Sequence, residues 1–364
     1  MTDLLIQGAG RHSVYVQRYA GYLANLFDPY TDQLIRELKV LMSDMPETTQ
    51  NLRRINKLIS DYRKSQLLIY GEYNDSVLLA ELPDFAIEET EFAANAIANV
   101  VQTPGFEAVV PTPQQVTSAV KSSLMVFAIG DQVFNLEDYI RNVESAQAKK
   151  VGDIIRTGYV TGQTSQQIVS SIAGRNGYLR NQNTKLIKTM VRTATNHVSN
   201  EARAELYKAN DDIVIGYEIV ATLDSRTSNI CKGYDGLVVK NNDSPKPRPP
   251  FHPNCRSTTA PVVDQRYRLD DETATRASRG VEGGQQVSAD STYYSWLKNQ
   301  GQQGPKGRAF VEDILGKERA ALFLDGGLSV ERFKRLTLDE QFQPIPLSEL
   351  REKRSLQLAF DNLG

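Results

Sequence analysis

Apolar residues recur at helical spacing over most of this chain, and the pattern changes abruptly after about residue 209. Within the first 110 residues the apolar stripes include Val16, Leu23, Leu34, Leu38 and Leu58. Their intervals are close to the 3.6-residue period of an α-helix. Pro29 and Pro46 interrupt the stripes, because proline disfavours helical conformation at the residue before it. Residues 1–110 are therefore predicted to form a helical region, either an arm or a bundle.

Residues 111–264 combine further helices with a β-rich stretch. Helices are predicted over 114–128 and 183–209, and Thr164 with Gln167 fits a capping box at the start of a short helix between them. From Ile213 onward the chain is rich in β-branched and aromatic residues, as is typical of strands. Three strands are predicted, over 213–222, 236–240 and 257–263. A small β module is thus expected within 211–264.

The last hundred residues divide into a polar stretch and a helical tail. Residues 265–291 carry charges, Gly, Ser and Gln with few apolar side chains, which predicts a linker or extended arm. Residues 292–364 are predicted to form short helices. Their apolar set is open to two interpretations, a partner-docking surface or a small local core: Trp296, Leu297, Phe310 and Ile314. The fold class predicted for the chain is mainly α with a small β module (α+β).

Charge and cysteine content exclude several classes of protein. Lys plus Arg total 42 and Asp plus Glu total 44, and this net charge of −2 argues against a DNA-coating protein. No run of apolar residues is long enough for a membrane span, and Met1 to Gly10 lack the pattern of a secretory signal. Two cysteines are too few for a disulfide-rich scaffold.

Both cysteines and one of the three histidines fall within 25 residues, as Cys231, His252 and Cys255. Cysteine and histidine are the usual ligands of zinc, and structural zinc prefers four ligands in a tetrahedron. The spacing Cys-x20-His-x2-Cys supplies three. The fourth would come from water or from one of three further side chains: Asp224, Asp235 or His197.

Three interpretations of this cluster stay open. A structural zinc ion would close the Pro-rich loop of a β hairpin that is too small to fold alone. Alternatively the cluster binds no metal, and the cysteines are buried or paired. A catalytic zinc with an open water position is the third, although no separate general base is apparent nearby. Arg226 could pair with Asp224 or Asp235, and Arg256 could face a partner.

The cluster belongs to a longer series of motifs that resembles a known family. In chain order these are Arg192-Thr193, Asp224-Ser-Arg-Thr-Ser, Cys231, Asp235-Gly236 and Pro250-Phe-His-Pro-Asn-Cys-Arg256. The series resembles the Mu F-like minor head proteins, also called phage head morphogenesis proteins, and segments between 294 and 350 resemble the tail of such proteins. Many members carry a further Cys where this chain has Ser257. The motif residues expected to stabilise the module are Arg192, Asp224, Arg226, Asp235, Gly236 and Arg256.

The resemblance implies a virion component of a tailed bacteriophage. Such a protein would be made in the host cytoplasm and would lie in the capsid near the portal vertex, in several copies. Its expected partners are the portal protein, the major capsid protein and the packaged DNA, and its expected roles are head assembly and genome packaging or delivery. Alternatives are a zinc-dependent hydrolase or nuclease, and a DNA-contacting ejection protein. No catalytic residue is assigned, and the chain is not expected to be an enzyme.

Overall fold

The structure is a computed structural model that describes residues 3–127, 132–268 and 273–363. Its N-terminal part contains the helices α1 (Asp3–Asn25), α2 (Asp28–Ser43), α3 (Leu52–Tyr73) and α4 (Leu79–Ala98). A π-helical turn, Asn74–Leu78, joins the last two. The predicted apolar stripes of these helices, Leu23 and Leu34 among them, are buried in one shared core. The N-terminal region is therefore a packed bundle and not a free arm.

The next part of the chain supplies the central helix of the molecule. It contains α5 (Pro113–Ser122), the strands β1 (Met125–Phe127) and β2 (Gln132–Phe134), then α6 (Leu136–Val160), α7 (Ser165–Ala173) and α8 (Thr184–Ala209). The capping box of Thr164 and Gln167 is present at the start of α7. Helix α8 is buried along most of its length, because α1, α4, α5 and α6 all pack against it.

One predicted helix ends early. The helix expected over 114–128 ends at Ser122, and Met125–Phe127 instead pair with Gln132–Phe134 as an antiparallel ribbon. Val126 and Val133 are direct partners in this ribbon, and the β-branched and aromatic side chains on both strands suit such pairing. The partner strand lies outside the segment 114–128, so the helical periodicity within that segment did not reveal the strand pairing.

The predicted β module is present after α8. It contains β3 (Val214–Val220), β4 (Leu223–Asp224), the short helix α9 (Asn229–Tyr234), β5 (Val238–Lys240) and β6 (Thr258–Val263). Strand β3 lies between β5 and β6, and both pairings are antiparallel, with Tyr217 opposite Val239 on one side and Pro261 on the other. The sheet buries apolar side chains in a second core, which also includes the start of α1 and the end of α8.

The expectation that 265–291 is a linker or extended arm is wrong in its secondary structure. A hairpin stands there, formed by β7 (Thr275–Gly280) and β8 (Gly283–Ser288), and β7 runs parallel to β4. The strands carry little apolar periodicity because their side chains alternate between polar contacts and solvent. What anchors the hairpin is buried Arg276, whose partner is distant in sequence.

The C-terminal helices enclose a third core. They are α10 (Tyr293–Gly301), α11 (Gly304–Leu315), α12 (Lys317–Leu324), α13 (Val330–Thr337), α14 (Leu347–Glu352) and α15 (Arg354–Asp361). Trp296 is 1 % exposed and Leu297 is fully buried, so the prediction that they form a docking surface is wrong. Phe310 and Ile314 are partly buried against the same core. The four side chains therefore form the local core that was the other interpretation.

Helices make up 62 % of the structure and strands 11 %, so the predicted class, mainly α with a small β module, is confirmed. Among the residues that the structure describes, no helix has the length and hydropathy that a membrane crossing needs. The first two cores both include residues of α8, and Leu223 of β4 belongs to the third core.

A candidate metal centre beside an arginine-lined cavity

Cys231 is positioned by the capping of α9. The Ser228 side chain caps this helix, and its Oγ accepts a hydrogen bond from the Cys231 backbone N–H at 3.3 Å. Serine is a preferred capping residue because its hydroxyl satisfies an N–H that the helix itself leaves free. The same hydroxyl lies 2.8 Å from His252 Nε2. The cap therefore links the helix that carries Cys231 to the turn that carries the other two soft ligands.

That turn is formed by the sequence His252-Pro-Asn-Cys255. The Cys255 N–H donates to the His252 carbonyl at 3.2 Å, and Asn254 has a positive φ of 64°. Proline at the second position and a residue tolerant of positive φ at the third are typical of a type II turn. Asn254 is also held from both sides, because its N–H donates to Thr193 Oγ1 and its Oδ1 accepts from Arg192. The Arg-Thr pair of α8 thus fixes the turn.

The turn and α9 bring the three soft ligands together, as the sequence predicted. Cys231 Sγ lies 3.6 Å from Cys255 Sγ and 3.2 Å from His252 Nε2, and the three ligand atoms all lie within 4.8 Å of one another. Tetrahedral zinc with bonds of about 2.3 Å to sulfur places two sulfur ligands about 3.8 Å apart. Both cysteines are free thiols and are buried. Cys231, His252 and Cys255 could therefore hold a metal ion, and we refer to these three residues as the metal group.

Hydrogen bonds also prepare the histidine for metal binding. His252 Nδ1 lies 2.8 Å from the Pro253 carbonyl, which can only accept, so the Nδ1 nitrogen carries the proton. Nε2 is then the unprotonated nitrogen, and it lies 2.8 Å from the Ser228 hydroxyl and 3.2 Å from Cys231 Sγ. An outer partner that fixes the ring tautomer in this way is typical of metal-ligating histidines.

The two thiols differ in acidity because they interact with each other. The hydrogen bond with Cys255, together with burial, raises the pKa of the Cys231 thiol well above its ordinary value. Burial also opposes ionisation of Cys255, but the hydrogen bond from Cys231, together with the interaction with His252, holds the pKa of that thiol well below its ordinary value. Cys255 is therefore the more acidic thiol of the pair, and the thiolate is the form that binds metal.

Neither aspartate proposed as a fourth ligand belongs to this group. Asp224 accepts a bidentate pair of hydrogen bonds from Arg256, at 2.6 and 2.7 Å, and a further one from Thr227 at 3.1 Å. Arg226 adds a weaker contact at 3.3 Å. Burial would raise the pKa of Asp224, but the contacts with Arg256 lower it to about 2. Its carboxylate is thus committed to an arginine, as expected for a residue that stabilises the module.

Asp235 is committed in the same way on the other side of α9. Its carboxylate accepts from the Ala221 and Tyr293 N–H groups, both at 2.6 Å, and from Arg276 at 3.1 and 3.3 Å. Gly236 follows in a tight turn with φ of 79°, and an added Cβ there would lie 2.6 Å from a methyl of Thr292. The Asp-Gly motif therefore joins the β module to the start of α10. The third alternative, His197, is buried and contacts the Val120 carbonyl outside the metal group.

A cavity of about 120 Å³ adjoins the metal group. Cys231 and His252 form part of its wall, and Arg192, Arg226 and Arg256 form another part. Burial, reinforced by the charges of Arg256 and Arg226, lowers the pKa of Arg192. The sequence motifs named these arginines as stabilising residues, and the structure places all three around one cavity.

Sequence reasoning missed a buried ion pair that joins the N-terminal bundle to α8. Glu89 of α4 lies 2.7 Å from Arg203 of α8, and both side chains are 1 % exposed. Ser199 and His12 also contact the Glu89 carboxylate. A glutamate and an arginine inside otherwise apolar helical faces were the available signal, because such residues are rarely buried without a partner.

Comparisons with known proteins bear on the central part of the chain. The family model described as phage Mu protein F like protein matches residues 149–260. No curated protein and no solved structure matches the chain. The matched residues run from α6 to β6 and include the metal group, both aspartates and the three cavity arginines. Residues 149–260 thus match the Mu F-like family, which confirms the resemblance for the motifs from Arg192 to Arg256; the tail segments between 294 and 350 lie outside the match.

Proposed function

We propose that this chain is a minor head protein of a tailed bacteriophage. The observation that carries the proposal is the match of residues 149–260 to the Mu F-like family, with every motif of the series inside or beside one compact site. The family is one of phage head morphogenesis proteins, which supports a place in the virion. On this proposal the protein acts as a structural component and not as an enzyme.

We further propose that the protein associates with the portal or the inner face of the capsid, near the portal vertex. It would be synthesised in the host cytoplasm and incorporated in several copies during head assembly. There it would contact the portal protein, the major capsid protein or both, and it would help genome packaging or delivery beside the packaged DNA. The family match supports the assignment to a phage head protein, and the proposed position near the portal vertex is what needs a test.

Quantitative mass spectrometry of purified particles, before and after DNA ejection, provides that test. We expect a stable, low ratio of this protein to the portal protein in both samples. Loss after ejection would favour a DNA-contacting ejection protein. Absence from particles in both samples would contradict the virion proposal. The same measurement therefore separates a fixed head component from an ejected one.

We also propose that the metal is zinc and that its role is structural. Three soft ligands from one helix and one turn, with a histidine tautomer already fixed, support this assignment. Cys255→Ser should lose bound zinc, destabilise the module and reduce attachment to portal or capsid. His197→Gln removes a histidine outside the group, so that variant should retain the metal and serves as the control. Normal incorporation of Cys255→Ser into particles would contradict the structural role.

A zinc-dependent hydrolase or nuclease is the second candidate, and one specific observation favours it. Only three protein ligands meet at the site, and three ligands plus water is the pattern of catalytic zinc. A hydrolase also needs a general base. No Asp or Glu stands among the described residues that line the adjoining cavity, which favours the structural role. Zinc-dependent cleavage of DNA or of a phosphodiester by the purified protein would reverse this preference.

A further inference from the structure

The cavity beside the metal group carries an excess of positive charge. Arg256 is paired with Asp224 in bidentate geometry, whereas Arg226 shares that same carboxylate through a single 3.3 Å contact. Arg192 has no carboxylate partner among the described residues. Its one side-chain hydrogen bond goes to the neutral Oδ1 of Asn254, at 2.6 Å. Three guanidinium groups therefore surround the cavity, and one carboxylate offsets them.

Two buried polar atoms at the cavity lack a nitrogen or oxygen partner within the described protein. These are Arg192 Nε and Ser257 Oγ; the Ser257 hydroxyl interacts with the Cys231 thiol, and both residues line the cavity. Ser257 is 1 % exposed. A buried polar group left unsatisfied costs about 1–3 kcal/mol, so such atoms are uncommon in folded proteins. Two of them in one small cavity point to a ligand that supplies acceptors.

The rest of the wall suits an anion. Thr222, Thr227 and Ser228 also line it, and none of the described lining residues carries a carboxylate. A water molecule needs roughly 10–15 Å³ of such space, so a cavity of about 120 Å³ has room for a tetrahedral oxyanion with its bound water. Arginine is the side chain best matched to phosphate, because its planar fork donates parallel hydrogen bonds.

We propose that this cavity binds one phosphate group, held by Arg192, Arg226 and Ser257, either as free phosphate or as part of a nucleic-acid backbone. Arg192 is the principal contact, because it is the guanidinium without a carboxylate and its Nε is unsatisfied. Arg226 closes the outer side, since its side chain is 75 % exposed. Arg256 is paired with Asp224, so it helps to shape the cavity wall and is not a principal contact of the phosphate.

Phosphate binding can be measured on the full chain by ³¹P NMR line broadening of inorganic phosphate, at an ionic strength kept constant with chloride. A short oligothymidylate without terminal phosphates serves as the second probe, followed by fluorescence anisotropy. The variants are Arg192→Gln and Arg226→Gln. The matched control is Arg266→Gln. Arg226 and Arg266 are 75 % and 71 % exposed, each pairs with the aspartate two residues before it, and Arg266 does not line the cavity.

Saturable binding of at least one probe is expected, weakened about tenfold by Arg192→Gln because a charge-assisted hydrogen bond is lost. Arg226→Gln should weaken binding less, and Arg266→Gln should leave it unchanged. Binding of inorganic phosphate alone identifies a free anion as the ligand, and oligonucleotide binding that phosphate displaces identifies a backbone. The proposal is overturned if neither probe binds, or if Arg226→Gln and Arg266→Gln have equal effects. Since Arg226 is exposed, that comparison holds even if Arg192→Gln fails to fold.

Discussion

Replacing Glu89 by glutamine is expected to destabilise the protein by about 3 kcal/mol, because the change leaves a buried arginine without its counter-charge. The Glu89 carboxylate accepts from Arg203 Nε at 3.0 Å and Nη2 at 2.7 Å, and from Ser199 Oγ at 2.6 Å. Its other oxygen contacts His12. These bonds tie α4, α1 and α8 at one point, where the N-terminal bundle meets the Mu F-like module.

The magnitude follows from the acidity of the buried group. Burial would raise the pKa of Glu89, but Arg203 and His12 lower it to about 2, from an ordinary value of 4.5. A difference of one pKa unit corresponds to about 1.4 kcal/mol, so the fold favours the ionised form by about 3 kcal/mol. Loss of one partner of a buried ion pair costs about 3–5 kcal/mol in other proteins, which agrees with this figure.

Urea denaturation followed by circular dichroism measures the loss. Asp32→Asn provides the matched control, because Asp32 forms a solvent-exposed pair with Arg180. The side chain of Asp32 is 52 % exposed and that of Arg180 is 46 % exposed. An exposed pair contributes about 0–1 kcal/mol, so this variant should unfold nearly as the parent does. The double variant Glu89→Leu with Arg203→Met should recover much of the loss, since apolar residues can replace a buried pair.

Two results would refute the reasoning. One is a loss below about 1 kcal/mol for Glu89→Gln, which is the range of an exposed pair. The other is a double variant as unstable as the sum of its single changes, because a true pair couples the two residues. Either result would mean that the N-terminal helices and α8 are not held together by this contact.

Three further outcomes are expected. Stability should fall as the pH drops from about 5 towards 2. Folding lowers the pKa values of Glu89 and Asp224 to about 2, so these carboxylates stabilise the fold fully only above their unfolded pKa values near 4. A urea midpoint that stays constant across that pH range would contradict this prediction. Gly236→Ala should cost about 1–3 kcal/mol, because φ is 79° and the new methyl meets a side chain at 2.6 Å; an unchanged midpoint would count against this. Trp296→Ala should cost about 3–5 kcal/mol, whereas Leu358→Ala, 74 % exposed, should cost little; calorimetric melting of both variants decides this.

Helices were predictable because their signals are local. The stripes of the N-terminal bundle, the capping box at Thr164 and the long helix α8 each depend on residues within a few turns of one another. The hairpin of β7 and β8 was not predictable in that way. Its only buried charge, among the residues described there, is Arg276, and that side chain pairs with Asp235, 41 positions earlier in the chain.

The contrast between local signals and contacts distant in sequence also explains which parts of the site were predicted. Cys231, His252 and Cys255 were identified by residue type, since few residues in this chain can bind a soft metal. Asp224 and Asp235 were named both as possible metal ligands and as residues that stabilise the module, and in the structure their carboxylates contact arginines. Spacing along the chain does not distinguish a carboxylate that binds metal from one that binds arginine, and the arginine partners lie 32 and 41 positions away.

The two aspartate–arginine pairs also limit what a metal can contribute to stability. Asp224 with Arg256 fixes the turn that carries Cys255, and Asp235 with Arg276 fixes the end of α9, so both walls of the metal group are held by protein contacts alone. A metal ion would then add to an existing frame, unlike zinc in small fingers that are unfolded without it. On the proposal that zinc binds here, its removal with a chelator should therefore lower the melting temperature while helical and sheet content stay unchanged. Collapse of the circular dichroism spectrum on chelation would show instead that the metal, and not the arginine pairs, holds the module together.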